Sequence, residues 1–263
     1  MMAPHRSWRI MQDVVFALFL REIKTRFGKY RLGYLWAVLE PLSFVLVLSM
    51  IRLLFSNSGI GGIDHPVFYV TGIMPFLFFQ HSINVCLHAV DSNIGLFNYQ
   101  RIRPVDSVLS RVLLEVVITI ATGVLLTGIL ISLGFQFKLD NPLGFLLTLF
   151  LLAALILGLG LLVSVLGGLS NEVQKIVPIF IRPLFFLSGI FFMTADIPRP
   201  YQDYLLLNPV LQCIELVRSS MFTNYVTPVQ GYGYVTTCAL LALFLGLAAY
   251  HGNRRRMITS GTK

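Results

Sequence analysis

The chain has 263 residues, 56% of them apolar and 12% charged, with twenty Lys and Arg against twelve Asp and Glu for a net charge of +8. A mean hydropathy of +0.78 excludes an ordinary soluble domain of this length, because such domains are about one quarter charged. The basic excess does not indicate nucleic-acid binding, since the cations gather beside hydrophobic stretches, where they orient a chain in a bilayer and touch anionic lipid.

Seven of the twenty basic residues lie between Arg6 and Arg31. Across this stretch Phe16, Phe19, Ile23, Phe27, Tyr30 and Tyr34 recur at steps of three and four, while Arg21, Lys24, Gly28 and Arg31 follow another face. That pattern predicts an amphipathic helix in the membrane interface. Gly28 and Gly33 mark where it turns upright, and Trp36 then falls where aromatic rings prefer the headgroup boundary. The plainer reading of the same charge is a positive-inside signal with no further role. No cleavable leader pattern opens the sequence, so the N-terminus is expected to be retained and the first span to serve as insertion signal.

Windows of about 20 residues, the length that crosses the hydrocarbon core, predict six spans. They are Tyr34–Phe55, Pro66–Val90, Val108–Phe135, Leu143–Gly168, Ile176–Met193 and Tyr232–His251. An even number places both termini on one side. Fifteen of the twenty basic residues then flank that side, including Arg254, Arg255 and Arg256, against Lys138, Arg199 and Arg218 opposite; the cation-rich side is the cytoplasm. The expected fold is an all-α integral membrane protein with a single transmembrane domain: a cytoplasmic or interfacial N-terminal helix over 1–33, a six-span core over 34–251 and a basic cytoplasmic tail over 252–263. Pro198, Pro200, Pro209 and Pro228 punctuate apolar stretches between Thr194 and Gly231, which predicts short external helices resting on or dipping into the outer leaflet before the last span. Pro178 and Pro183 interrupt the fifth span, as in helices broken where a pathway opens, although proline is also ordinary in packed membrane helices.

Phosphate-loop, dinucleotide and zinc motifs are absent, and the three cysteines imply neither disulfide framework nor metal site. Cys86, Cys213 and Cys238 are expected to fill space. Ionisable groups inside spans are costly, about 2.5–3.5 kcal/mol each at mid-bilayer, so each calls for a reason. Arg111 and Glu115 are four apart on the third span and are expected to form a structural ion pair along one helix face. Glu40 lies near the inner boundary of the first span, where it can meet the basic interfacial helix, and Arg52 can snorkel outward. Arg182, in the Pro-broken fifth span, is either a pathway contact or a group with a buried partner. His81, Asn84 and His88 share one face of the second span, which favours interhelical hydrogen bonding over a pore-lining stripe, with a metal site far behind. Small residues at four-residue steps, Thr119, Gly123 and Thr127 on the third span and Gly160, Ser164 and Gly168 on the fourth, are expected packing surfaces.

Between the second and third spans, the cytoplasmic segment DSNIGLFNYQRIRPVDSVLSR is polar at its ends, with Leu96, Phe97, Tyr99 and Ile102 in the middle. An apolar patch with a polar rim is what a docking element offers to a partner groove, unless it lies on the inner leaflet.

The stretches LFLREIKTRFGKYRLGYLWAVLEP (Leu18 to Pro41), GLFNYQRIRPVD (Gly95 to Asp106), EVQKIVPIFIRPLFFLSGIFF (Glu172 to Phe192) and YLLLNPVLQCIELVR (Tyr204 to Arg218), with six spans in matching order, cover nearly the whole chain. They resemble the membrane subunits of type-2 ATP-binding-cassette exporters, in particular the capsule polysaccharide export permeases. The resemblance implies a homodimer in the bacterial inner membrane with two copies of a separate cytoplasmic ATP-binding subunit. ATP and Mg would sit on that subunit, leaving this chain with no catalytic, cofactor or metal site and no enzymatic role. Its substrate would be a lipid-linked capsular polysaccharide, handed on to periplasmic and outer-membrane polysaccharide export proteins. Position by position, Leu96, Phe97, Tyr99, Gln100, Arg101 and Arg103 resemble the helix that couples to the ATPase. Arg21, Lys24, Arg26, Lys29 and Arg31 resemble the gate helix that meets lipid headgroups, and Tyr30, Tyr34, Trp36 and Arg182 are candidates for the channel lining. The alternatives are a drug or small-molecule exporter of the same superfamily and a membrane-embedded transferase acting on lipid-linked sugars. A secondary transporter is disfavoured by the absence of an inverted repeat.

Overall fold

A computed structural model describes residues 4–27, 33–55, 59–96, 102–223, 225–229 and 231–259. The described residues form nine α-helices and no strand: α1 (Pro4–Phe27), α2 (Gly33–Phe55), α3 (His65–Leu87), α4 (Pro104–Ser132), α5 (Pro142–Leu169), α6 (Asn171–Leu187), α7 (Arg199–Leu205), α8 (Pro209–Met221) and α9 (Gly233–Thr259), with a 3-10 turn over Asp91–Leu96. Prolines at their first turns start α3, α4 and α5, where the missing N–H is no loss. The Asn141 side chain caps α5 by accepting from Gly144 N at 2.9 Å, and Asp106 Oδ2 reaches back to accept from Arg103 N at 2.9 Å at the start of α4.

Five of these helices are long and apolar enough to cross a membrane, over Leu35–Phe55, His65–Leu87, Pro104–Ser132, Pro142–Leu169 and Gly233–Asn253. They match five of the six expected spans. The expected span Ile176–Met193 differs: α6 begins five residues earlier and ends at Leu187, and its 17 residues rise about 26 Å at 1.5 Å per residue, a little short of the roughly 30 Å hydrocarbon core. Gly189 then takes a left-handed φ of +71°, which only glycine adopts without strain, and turns the chain away before Met193.

The helix α3 is the core of the bundle, with 72% of its span window buried, whereas the windows of α2, α4 and α9 are 17%, 28% and 28% buried and present most of their apolar side chains outward. That division suits a lipid solvent, in which only the surfaces between helices need specific packing. The central α5 packs on α9, α3, α8, α4 and α6. Gly158 and Gly246 bring α5 and α9 into backbone contact, since a Cβ at Gly158 would lie 2.3 Å from Leu243 N. The small residues expected to pack on the fourth span do so within the subunit, Gly160 against Cys86 and Gly168 against Val90. The corresponding stripe on α4 packs more loosely, with Gly123 facing Met74.

The segment before α9 forms two short helices, as expected, but the two differ in how far the bundle encloses them. Helix α7 is exposed on most of its surface, but α8 buries Val210 through Arg218 without interruption and packs on α5, α3 and α9. Its 13 residues rise about 20 Å, too short to span, so α8 is a short helix enclosed by the bundle.

Candidate functional site

Polar side chains collect at the end of the bundle where α1, the Asp91–Leu96 turn and the start of α4 meet. Helix α1 packs along α4 and projects its cations into that junction. Arg21 Nη1 donates to Asn93 Oδ1 at 2.7 Å, and its Nη2 reaches Ser92 O at 3.4 Å. Asn93, 1% exposed, is oriented by its own Nδ2, which donates to Ala89 O at 3.0 Å. Arg111 Nε donates to Glu22 Oε1 at 2.9 Å, and the other guanidinium nitrogens of Arg111 donate to Val85 O and to Ser92 Oγ. Arg26 bonds to Glu115. From the other side, Gln174 of α6 donates to Asp91 and to Gly167 O, the latter at 2.9 Å.

These contacts correct the expected ion pair within α4. Arg111 and Glu115 do not pair with each other; each pairs with α1, because α1 lies across the α4 face they share and brings Glu22 and Arg26 into reach. They also revise part of the gate-helix expectation: Arg21 and Arg26 are engaged with protein acceptors, while Lys24 is exposed. Lys29 and Arg31 lie outside the described residues, as do Tyr30, Phe97, Tyr99, Gln100 and Arg101, and the side chains of Tyr34 and Leu96 are likewise not described. Arg103 is exposed just before α4.

Of the candidate channel residues, Trp36 is 69% exposed on α2 and Arg182 is exposed on α6, with no buried partner among the described residues. The two helices touch through Phe44 and Phe185, whose ring centroids are 5.5 Å apart. Phe185 continues to Phe76 at 5.2 Å and Phe191 at 5.3 Å, and Phe186 stacks on Phe191 at 5.5 Å. Aromatic packing of this kind holds α2 and α6 side by side on α3. On the second span, His81 meets Glu40 Oε1 at 3.3 Å, a bond between α3 and α2 as interhelical packing predicts; His88 is exposed.

The opposite end contains a network that sequence reasoning missed. Arg218, counted from the sequence as an external flanking charge, is fully buried on α8. Its guanidinium donates to Gly189 O at 2.6 Å, Ile190 O at 3.3 Å, Phe68 O at 3.4 Å and Thr71 Oγ1 at 3.4 Å, and lies 3.7 Å from the centre of the Phe68 ring. Glu215, also fully buried, stands 3.9 Å away and accepts from Thr194 Oγ1 and Tyr225 OH, each at 2.9 Å. Burial pulls the guanidinium of Arg218 below its ordinary value and pushes the Tyr225 phenol up. The four-residue run Glu-Leu-Val-Arg is the only sequence trace of this network, and its i,i+3 pairing is equally at home on an exposed helix. Nearby Cys213 is buried and its thiol is pushed up to about 12 by that burial, which leaves it a space-filling group. Beside α7, an open cleft is lined by Arg199, Gln202, Asp203, Gln212 and Tyr234, but Gln202 and Gln212 are turned onto the backbone carbonyls of Ile197 and Leu206.

Residues 13–222 match the family described as ABC-2 type transporter. Over 254 residues, 97% of this chain and 98% of the relative, the sequence is 40% identical to the polysialic acid transport protein KpsM of Escherichia coli. It is 28% identical over 242 residues to the capsule polysaccharide export inner-membrane protein CtrC of Neisseria meningitidis serogroup A, covering 92% of this chain and 91% of the relative. A capsule polysaccharide export inner-membrane protein of Haemophilus influenzae, BexB, is 26% identical over the same shares.

Proposed function

Because the chain belongs to the ABC-2 type transporter family, whose members here are transport proteins and not enzymes, we propose that it is the membrane-spanning subunit of an exporter that carries lipid-linked capsular polysaccharide across the bacterial inner membrane. The observation that carries this reading is similarity along 97% of the chain to a polysialic acid transport protein, joined to five long apolar helices. The working unit is a homodimer with two cytoplasmic ATP-binding subunits, and the exported chain passes to periplasmic and outer-membrane export proteins.

Both termini face the cytoplasm, since the basic residues flank that side. Leu96, Phe97, Tyr99, Gln100, Arg101 and Arg103 dock into the ATPase subunit, which alone binds ATP and Mg. Lys24, Lys29 and Arg31 meet the anionic headgroup of the polymer's lipid anchor, and Arg182, with Tyr30, Tyr34 and Trp36, faces the path between the two copies. A cation suits phosphate or acidic sugar, and aromatic rings offer sliding apolar faces with polar tips. ATP binding and hydrolysis on the partner drive transport through a difference in contact energy between two packings of the helices.

The test is to purify the chain from its host in mild detergent and look for an equimolar ATP-hydrolysing subunit, then to compare surface polymer in its presence and absence. Co-purification with loss of surface polymer on deletion is expected. Unchanged polymer with altered drug sensitivity would replace the substrate by a small molecule, and a partner-free single species would remove the exporter reading. Phe97→Ala with Tyr99→Ala is expected to release the ATPase and abolish export; normal export with the partner still bound would remove the docking assignment.

A further inference from the structure

Three consecutive side chains in the Asp91–Leu96 turn bond to three different helices. Asp91 takes Gln174 of α6, the Ser92 hydroxyl takes Arg111 of α4, and Asn93 takes Arg21 of α1 at 2.7 Å. The contacts are cross-linked. Ser92 O also receives Arg21, the Ser92 hydroxyl donates to His88 O at 2.7 Å at the end of α3, and Arg111 ties back to Glu22 on α1. Asn93 and Arg111 are buried within the junction, while Arg21, Asp91 and Ser92 are exposed, so their bonds are only partly shielded from competing water.

The turn leads directly into residues 96–103. From this placement we infer that Asp91, Ser92 and Asn93 are positioning residues of a transmission hub, which passes displacement of the ATPase-docking segment to α1 and α6 together. The inference rests on the docking assignment proposed above. It goes beyond it by naming how the displacement divides: through Arg21 to the helix bearing the cytoplasmic cations, and through Gln174 to the helix bearing Arg182. A turn whose every polar side chain is committed elsewhere cannot shift without breaking these bonds or carrying the helices with it. Side-chain bonds between packed helices have few discrete arrangements, which is the requirement for passing on a displacement between two states.

The experiment uses the full complex of chain and ATPase subunit. Asn93→Leu removes the bond from Arg21 and the bond to Ala89 O, and Arg21→Ala removes the bonds to Asn93 and to Ser92 O; Asn93→Asp keeps the acceptor, adds charge toward Arg21 and gives up the bond to Ala89 O. The readouts are co-purification of the ATPase subunit and ATP hydrolysed per polymer exported. Asn93→Leu and Arg21→Ala are expected to retain the subunit while ATP consumed per polymer rises about tenfold, the scale of one to two lost hydrogen bonds at about 1 kcal/mol each. Asn93→Asp keeps the bond from Arg21 but sets a carboxylate oxygen against Ala89 O, and is expected to bring the ratio part of the way back, below that of Asn93→Leu. Full export at normal ATP cost in both Asn93→Leu and Arg21→Ala would overturn the hub. So would loss of the subunit in either variant, since the residues would then serve docking or folding and not transmission. Failure of the docking assignment is seen separately, as retention of the subunit and of export by the Phe97→Ala, Tyr99→Ala chain.

Discussion

At one end of the bundle Arg218 and Glu215 lie on a single helix, both fully buried, and their partners Gly189, Ile190, Phe68, Thr71, Thr194 and Tyr225 close around them. At the other end the charges are divided among helices, Arg21, Glu22 and Arg26 on α1 against Arg111 and Glu115 on α4; Arg111 and Glu115 are buried, but Asp91, Ser92 and Arg21 remain exposed. A buried charge that loses its partner has no water to replace it, whereas an exposed one exchanges partners at little cost. The difference assigns the first network to holding α8 and the end of α6 on α3, and leaves the exposed members of the second, Arg21, Asp91 and Ser92, able to exchange partners. The exporter proposed above would use both, a fixed frame at one end and contacts that can be made and broken at the end proposed to meet its ATPase subunit.

The comparison breaks most readily at Arg218. Arg218→Ala is expected to destabilise the folded chain by about 3–5 kcal/mol, the range for stranding a buried charge, and to appear as loss of monodisperse protein or a large drop in thermal midpoint in detergent. A midpoint within a degree or two of the unaltered chain would end the distinction between the two ends. A smaller effect sharpens it: Thr194→Val removes one donor to the Glu215 carboxylate and is expected to cost about 1.5–3 kcal/mol, as for hydrogen bonds to charged groups, read in the same melting experiment. At the other end, Glu115→Gln keeps a hydrogen-bond acceptor for Arg26 and is expected to cost about 1 kcal/mol or less, because Arg26 is partly exposed. A loss as large as that of Arg218→Ala would show that end to be equally rigid. The least effect is expected from Glu172→Ala, whose pairing with Lys175 leaves both side chains 73% exposed; a change below about 0.5 kcal/mol fits a surface i,i+3 pair.

Some of this organisation was readable in the chain and some was not, and particular residues show why. Five spans could be placed because an apolar run long enough to cross a bilayer is a local property. Gly160 and Gly168 could be read as packing surfaces because spacing along a helix fixes which residues share a face. Arg111 and Glu115 could not be paired correctly on spacing alone: neighbours four apart on α4 compete with residues 89 positions away on α1, and only the packing of α1 on α4 decides between them. The register of α6 was misjudged for a related reason, since hydropathy continues through Phe191 and Phe192 after Gly189 has already ended the helix.

Taken by itself, the amino-acid order determined that this is an all-α membrane protein, where most of its helices run and to which family it belongs, because hydropathy, helix period and similarity are properties of the chain read residue by residue. The tertiary structure decided which charges meet. It turned Arg218 from a presumed external flank into a buried anchor, moved Glu22 and Arg26 onto Arg111 and Glu115, and gathered Asp91, Ser92 and Asn93 onto three helices. Hydropathy cannot separate a helix enclosed by protein from one resting on lipid, and the partner of a long charged side chain is set by which helix packs across from it.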